Sequence, residues 1–241
     1  MMYTRYWVAA RLGRRKRVLE LACGSGQGLG LVTKSASYLV AGDISRILLS
    51  RTQAHYGSRV PLLQLSAEAL PFVASAFDVV LLFEASYYIP PMADALREIA
   101  RVLVPGGTVL FVNANPERPD FIQSPHSVHY HTADEFRRVL EGLGFVVTIE
   151  AAFPVGQDLG SARSRVVRQT VSVARRVLDA TRLVPRTLRG RARLKRLFYG
   201  KLIELPAELS AGFAPVAVRV PVNPGPIREF KVLYVTGRKA E

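Results

Sequence analysis

The sequence predicts an α/β domain with a mostly parallel, seven-stranded sheet and helices on both faces. Over the first 151 residues, short apolar runs alternate with stretches of helical periodicity, which is the pattern of βαβ units. A glycine-rich turn follows the first apolar run, where open α/β sheets bind their ligands. With 241 residues and 49% apolar side chains, the chain can bury a full core and is too apolar to be disordered.

Seven apolar runs have the length and the flanking turns of strands. The predicted strands are 17–21, 38–41, 60–65, 78–83, 108–112, 145–151 and 229–239. The predicted helices are 28–35, 45–56, 92–104 and 132–143, with a short turn near Ala67. Thr132 and Glu135 form a capping box at the start of the last helix. Pro105-Gly106-Gly107 is predicted as a turn that ends the third helix and leads into strand five.

A long insertion separates the sixth and seventh predicted strands. Residues 158–201 contain thirteen Arg or Lys and two Asp, so +11 of the total charge of +14 lies in this block. Val167, Val171, Ala174 and Leu178 recur at helical spacing among arginines, which predicts a basic amphipathic helix. The Pro- and Gly-rich residues 209–226 are predicted to be an extended connector.

These patterns divide the chain into four parts. They are a short N-terminal lid (1–17), an α/β core (18–151), a basic and partly helical insertion that caps the substrate (152–228), and a closing strand (229–241). The single cysteine, Cys23, excludes an intramolecular disulfide framework and fits a reducing compartment. The N-terminus lacks the apolar core of a signal peptide, and no apolar window is long enough to cross a bilayer. We therefore expect a cytoplasmic protein.

The glycine turn lies within VLELACGSGQGLG, residues 18–30. The dinucleotide fingerprint G-x-G-x-x-G fails here, because the third position after Gly26 is Leu29. The Walker spacing fails too, since no Gly-Lys-Ser/Thr follows. What remains is E-x-A-C-G-x-G-x-G, in which Glu20 precedes the glycines. A carboxylate at that position repels a phosphate and attracts an ammonium group.

This stretch resembles motif I of the class I S-adenosylmethionine-dependent methyltransferases. Further motifs follow in the order seen in the subgroup of small-molecule and quinone-biosynthesis enzymes. They are the acid Asp43 after strand two, SAEALPF at 66–72, FDVVLLFEASYYI at 77–89 and REIARVLVPGGTVLFV at 97–112. The resemblance covers residues 18–151 and the closing strand. It implies the Rossmann-like class I methyltransferase fold, with an antiparallel last strand and a helical insertion before it.

The resemblance implies S-adenosyl-L-methionine as cofactor, with S-adenosyl-L-homocysteine as product. Glu20 would lie near the methionyl amino group, Asp43 would accept hydrogen bonds from both ribose hydroxyls, and the turn after strand three would contact the adenine. An alternative for Asp43 is to cap the following helix. The full set of cofactor-binding candidates is Glu20, Ala22, Gly24, Gly26, Gly28, Asp43, Ile44, Ser66, Ala67, Glu68, Phe83 and Glu84.

The sequence departs from the subgroup at two places. Ser66 stands where the subgroup has an Asp for the adenine amino group, so that contact is weaker or moves to Glu68. Motif I also begins only 17 residues from the first residue, so the segment that covers the cofactor is short. Tyr3, Tyr6 and Trp7 are the candidates to cover it.

The acceptor side offers aromatic residues and three histidines. The substrate-binding candidates are Tyr87, Tyr88, His126 and Tyr130. His129 is the candidate general base for a hydroxyl acceptor, and it shares a side with His131 if the segment is extended, whereas His131 itself is a candidate for packing. The histidines are not expected to bind a metal, because no cysteine lies nearby and the closest acids belong to a helix start.

We therefore expect methyl transfer to oxygen of a small or lipid-linked molecule by direct in-line displacement. Two alternatives stay open, namely an RNA methyltransferase and a cofactor-binding scaffold without catalysis. The basic block 158–201 could be a solvated cap, could hold an anionic substrate or the surface of an anionic membrane, or could follow an RNA backbone. Its few aromatics, Phe198 and Tyr199, argue against nucleic acid as a partner. The oligomeric state is not determined by these patterns.

Overall fold

In a computed structural model of the protein, residues 1–124, 126–156 and 206–241 are described. Met1–Val155 and Pro206–Glu241 together form one compact unit. The predicted basic helix within 158–201 lies outside the described residues. So does the greater part of the predicted capping insertion.

One eight-stranded sheet forms the centre of this unit, in the order β3-β2-β1-β4-β5-β8-β6-β7. The strands are β1 (Arg17–Leu21), β2 (Tyr38–Asp43), β3 (Leu62–Gln64), β4 (Phe77–Phe83), β5 (Leu103–Ala114), β6 (Phe145–Pro154), β7 (Arg219–Pro221) and β8 (Phe230–Lys239). The first five strands are parallel, and β8 runs antiparallel between β5 and β6. This is the mixed sheet that the sequence predicts, with one strand more than expected.

The helices cover both faces of the sheet. They are α1 (Met2–Leu12), α2 (Leu29–Thr33), α3 (Arg46–Tyr56), α4 (Met92–Val102) and α5 (Ala133–Glu141). The apolar residues of α1, α2 and α3 pack into one core cluster, and those of α4 and α5 pack into a second. Because a sheet separates the two clusters, each strand of its centre is buried on both faces, as parallel strands require.

The additional strand, β7, lies within the predicted extended connector 209–226 and is one that the sequence analysis did not predict. Its three residues pair with β6, where Val220 lies opposite Ala151. A strand this short, ending at Pro221, has no alternating pattern that a sequence window could detect.

A correction concerns Pro105-Gly106-Gly107, which lie inside β5 and not between a helix and a strand. Leu103 pairs with Phe77 and Thr108 pairs with Val79, so the residues between them form an irregularity in the ladder. Gly106 has φ +71°, which explains the glycine at this point. The helix before it accordingly ends at Val102.

Parallel strands bring their carboxyl ends to one edge of the sheet. The ends of β1, β2, β4 and β5 therefore lie side by side, and each is followed by residues that the sequence identifies as candidates for the site. None of the helices in the described ranges is long and apolar enough to cross a membrane.

Candidate functional site

The loop after β1 takes left-handed backbone at alternate positions. Ala22, Gly24 and Gly26 have φ values of +54°, +60° and +74°. Gly28 is needed for a different reason, because a Cβ there would lie 2.1 Å from the ring of Tyr6. The loop therefore turns tightly under an aromatic ring that α1 supplies.

Glu20 is the acid at the end of β1, and it is almost fully buried at 1% exposure. Its Oε1 accepts a hydrogen bond of 2.6 Å from the hydroxyl of Tyr6, while its Oε2 is buried without a partner. Burial raises the pKa of Glu20 to about 8, although the Tyr6 hydrogen bond and the nearby charge of Arg5 oppose the rise. A buried carboxyl with an unpartnered oxygen suits a positively charged ligand group.

Asp43 ends β2 beside the glycine loop and is 6% exposed. Its Oδ2 accepts from the backbone N–H of Gly24 and its Oδ1 from that of Ser45, both at 2.8 Å. Ser45 is the residue that caps α3, because its hydroxyl accepts from the N–H of Leu48. The alternative of Asp43 as helix cap is therefore wrong. Each carboxylate oxygen retains a free acceptor position for a hydroxyl.

The turn after β3 lies next to Asp43, whose carbonyl accepts from the N–H of Leu65. Within it, the hydroxyl of Ser66 donates to Oε2 of Glu68 at 2.7 Å. Ala67 lies between them and is partly buried. Ile44, on the other side of Asp43, is 69% exposed. These positions bring the adenine and ribose candidates together on one side of the glycine loop.

Glu84 follows β4 in a left-handed conformation, with φ +51°. Its Oε2 accepts from the hydroxyl of Tyr87 at 3.0 Å and from the N–H of Ala114, and its Oε1 pairs with Arg5 at 3.3 Å. A non-glycine residue with this backbone at a strand end is typical of functional sites. Phe83, one residue earlier, packs edge-to-face on Tyr6 with ring centroids 5.3 Å apart. No sequence pattern marks Arg5, which lies directly before Tyr6 on α1.

An aromatic cluster continues from Glu84. The rings of Tyr87 and Tyr130 stack with centroids 4.0 Å apart, and Phe121 meets Tyr130 edge-on. Tyr88 is 44% exposed and donates its hydroxyl to that of Ser124. Burial and the neighbouring Glu84 raise the pKa of Tyr87, so its hydroxyl stays protonated and donates. The structure thus brings together Tyr87, Tyr88 and Tyr130, three of the four candidates for the acceptor site.

His129 and His131 lie on the same loop and face α5. His129 Nε2 lies 3.2 Å from Oε2 of Glu135, whose capping box with Thr132 is present as predicted. The rings of His129 and His131 are 4.6 Å apart, which confirms that they share a side. His131 packs on Phe136, and burial lowers its pKa. His126 is exposed.

The residues at this edge of the sheet match the charged and hydroxyl groups of S-adenosylmethionine. The unpartnered oxygen of Glu20 is placed for an ammonium group, and the strand-end carboxylate of Asp43 for vicinal hydroxyls. The glycine loop between them leaves room beside Gly24, where a Cβ would meet no atom within 4 Å. The donors and acceptors present therefore fit this cofactor. In the described part of the chain, no three His, Cys, Asp or Glu residues converge as they would around a metal ion.

A family model described as a methyltransferase domain matches residues 19–111. The chain is 38% identical over 105 residues to phthiotriol/phenolphthiotriol dimycocerosates methyltransferase 1 of Mycobacterium ulcerans, covering 42% of this chain and 38% of that protein. It is 36% identical over 111 residues to demethylmenaquinone methyltransferase of Mycobacterium tuberculosis, covering 44% of this chain and 46% of the relative. The chain therefore spans less than half the length of these curated relatives.

Solved structures with low sequence identity share the fold of this chain. The crystal structure of the YcgJ protein from Bacillus subtilis superposes with a TM-score of 0.63 at 16% identity, covering all of both chains. Strand order, the position of the loop and the family match define a Rossmann-like domain of the methyltransferase kind. The methyltransferase-domain match over residues 19–111, the methyltransferase relatives and the shared fold support a class I S-adenosylmethionine-dependent methyltransferase, with S-adenosylmethionine as cofactor.

Proposed function

We propose that the protein transfers a methyl group from S-adenosylmethionine to an oxygen atom of a small or lipid-linked acceptor. The observation that carries the proposal is the buried carboxyl of Glu20, whose Oε2 has no partner beside the glycine loop. A phosphate-bearing cofactor would be repelled at this point, whereas an amino-acid group carries the ammonium that the carboxylate needs. The lipid and menaquinone-type methyltransferases among the relatives support the acceptor class.

On the cofactor side, the residues of the chain bind the cofactor and orient it. Glu20 would hold the ammonium group, Asp43 the ribose hydroxyls, and Ser66 with Glu68 the adenine. When bound, the cofactor supplies a methyl group that is already activated on a sulfonium. The protein therefore contributes mainly proximity and orientation, and the gain from these can be several powers of ten in rate.

On the acceptor side, Tyr87 and Tyr130 would form a wall of the pocket. His129 is the proposed general base for a hydroxyl, and Glu135 would hold its ring in place. We also propose that the acceptor is anionic or reaches the protein from an anionic membrane surface. The support for this is the charge of residues 158–201.

The proposal is tested by methyl transfer from methyl-labelled S-adenosylmethionine to lipid-linked acceptors. Suitable probes are a polyprenyl hydroquinone and a long-chain phenol, each with a free hydroxyl, and the product is extracted and analysed by mass spectrometry and NMR. We expect label in an O-methyl ether with the wild-type protein, and loss of at least tenfold in rate with His129→Gln. Asp78→Asn, which alters a carboxylate that bonds Arg17 at the start of β4, serves as the matched control.

Other outcomes separate the alternatives. Label on carbon would overturn the oxygen assignment and keep the acceptor class. Label on RNA, with binding that weakens steeply with salt, would favour the RNA methyltransferase. Cofactor binding without transfer to any acceptor would favour the scaffold.

A further inference from the structure

Helix α1 places the cation of Arg5 beside Glu84, which follows β4, and within electrostatic range of Glu20 near the end of β1. Nη2 of Arg5 lies 3.3 Å from Oε1 of Glu84, and the Arg5 side chain is only 13% exposed. The same charge acts on Glu20, where it opposes the rise in pKa. Burial raises the pKa of Tyr234 on β8, the charge of Arg5 lowers it, and the charge of Glu84 raises it. Arg5 therefore lies near the carboxyl ends of β1 and β4.

Arg5 keeps an unused donor in this space. Its Nε is buried without a hydrogen-bond partner, as is Oε2 of Glu20. One unused donor on the Arg5 guanidinium and one unused acceptor on the Glu20 carboxyl, which lie within electrostatic range of each other, match a ligand that has both a carboxylate and an ammonium. An α-amino acid group has these two charges on one carbon atom.

The charges of the cluster agree with this interpretation. In the proposed complex Glu20 has released its proton to pair with the ammonium, so the side chains of Glu20, Glu84 and Arg5 sum to one negative charge. S-adenosylmethionine has an ammonium, a carboxylate and a sulfonium, which sum to one positive charge. A ligand carboxylate brought next to Glu20 without a cation would be repelled at low dielectric, so the cation from α1 is required for the zwitterion to bind.

We propose that Arg5 binds the carboxylate of the methionine group while Glu20 binds its ammonium, so α1 forms part of the cofactor site. The inference rests on the proposed function, because it takes S-adenosylmethionine as the ligand. Tyr6 is the positioning residue of the arrangement, since its hydroxyl holds Glu20 and its ring fixes α1 on Gly28.

The test uses calorimetric titration of the full chain with S-adenosylmethionine and with its decarboxylated analogue, which keeps the ammonium and the sulfonium. Arg5→Met is expected to weaken the binding of S-adenosylmethionine about tenfold or more, because a charge-assisted hydrogen bond is lost. Affinity for the decarboxylated analogue should be unchanged or greater in the same variant. Arg5→Lys retains the charge and should restore part of the loss.

Arg11→Met is the matched control, since it makes the same substitution on the same helix, where Arg11 lies over the ring of Trp7. It should leave both affinities within about twofold of the wild type. Thermal melting of each variant shows whether α1 remains folded. Suppose that the wild type binds S-adenosylmethionine and that Arg5→Met lowers the affinity for both ligands equally, or for neither. Arg5 then does not recognise the carboxylate. If the wild type does not bind S-adenosylmethionine at all, the proposed function itself fails, and this inference fails with it.

Discussion

The hydroxyl of Tyr6 donates a hydrogen bond of 2.6 Å to Oε1 of Glu20, so the acid that ends β1 is held by the helix that precedes it. The Tyr6 ring also lies directly over Gly28. This pair ties α1 to the loop where the methionine end of the cofactor would bind. Helix α1 therefore lies against the glycine loop, and the role of residues 1–17 as a lid stays a prediction.

Tyr6→Phe should destabilise the protein by about 1 to 3 kcal/mol, because the buried carboxyl of Glu20 loses its hydrogen-bond donor. Chemical denaturation at pH 8 measures the change. Tyr38→Phe is the control, since Tyr38 is 52% exposed and its hydroxyl can bond to water. Equal stability of the two variants would mean that the Tyr6 hydroxyl contributes nothing.

The stability of the protein should depend on pH through Glu20. Its folded pKa of about 8 lies above the ordinary value of 4.5, so between these values the folded state holds a proton that the unfolded state has released. The free energy of unfolding therefore falls as pH rises from about 5 to 8, by up to about 4 kcal/mol from this group. Urea denaturation at pH 5, 6.5 and 8 should show this fall in the wild type.

Glu20→Gln should remove most of this fall, because an amide does not titrate. Asp78→Asn should leave it unchanged, since the hydrogen bonds from Arg17 lower the pKa of Asp78 and place its titration below this range. A slope that survives in Glu20→Gln would assign the pH dependence to another group.

Binding of S-adenosylmethionine should be tightest near pH 8. Below that pH the carboxyl of Glu20 must release a proton before it can pair with an ammonium. Above about pH 8 the ligand's own α-amino group loses its charge. Calorimetry at pH 6.5 in phosphate and in Tris should therefore report release of about one proton in the wild type. The Glu20→Gln variant should show no difference between the two buffers.

Two glycine substitutions should rank in a definite order. Gly24→Ala costs about 1 kcal/mol, because φ is +60° there and no atom is near the new Cβ. Gly28→Ala should cost about 2 to 3 kcal/mol and displace α1, because its Cβ would overlap the Tyr6 ring at 2.1 Å. Thermal melting gives the order, and the Gly28→Ala loss should shrink when Tyr6 is also changed to Ala. An unchanged loss in that double variant would place the clash elsewhere.

Local chemistry explains which parts of the fold the sequence could predict. Strand β1 has the predicted bounds, because its apolar run is flanked by basic residues and glycines. The capping box of Thr132 and Glu135 also forms as predicted, since both partners lie within one turn of helix. The positions of Glu20 and Asp43 follow from the strand ends, and parallel pairing of β1 and β2 brings them to one edge.

Contacts between positions far apart in the sequence could not be predicted, because they leave no local pattern. Arg5 and Glu84 are 79 positions apart, and nothing in either neighbourhood marks them as partners. Strand β7 exists only because β6 offers an open edge, so its three residues carry no signal of their own. The direction of His129 toward Glu135 likewise depends on how the loop meets α5.

The cofactor site is tested most directly by calorimetric titration of the purified protein with S-adenosylmethionine and S-adenosylhomocysteine, beside Asp43→Ala and the control Asp78→Asn. We predict micromolar binding by the wild type and by Asp78→Asn, and at least a tenfold loss in Asp43→Ala, because the acceptor for the ribose hydroxyls is removed. Absence of binding by the folded wild-type protein, or equal affinity in Asp43→Ala, would contradict the assignment of the cofactor to this edge of the sheet.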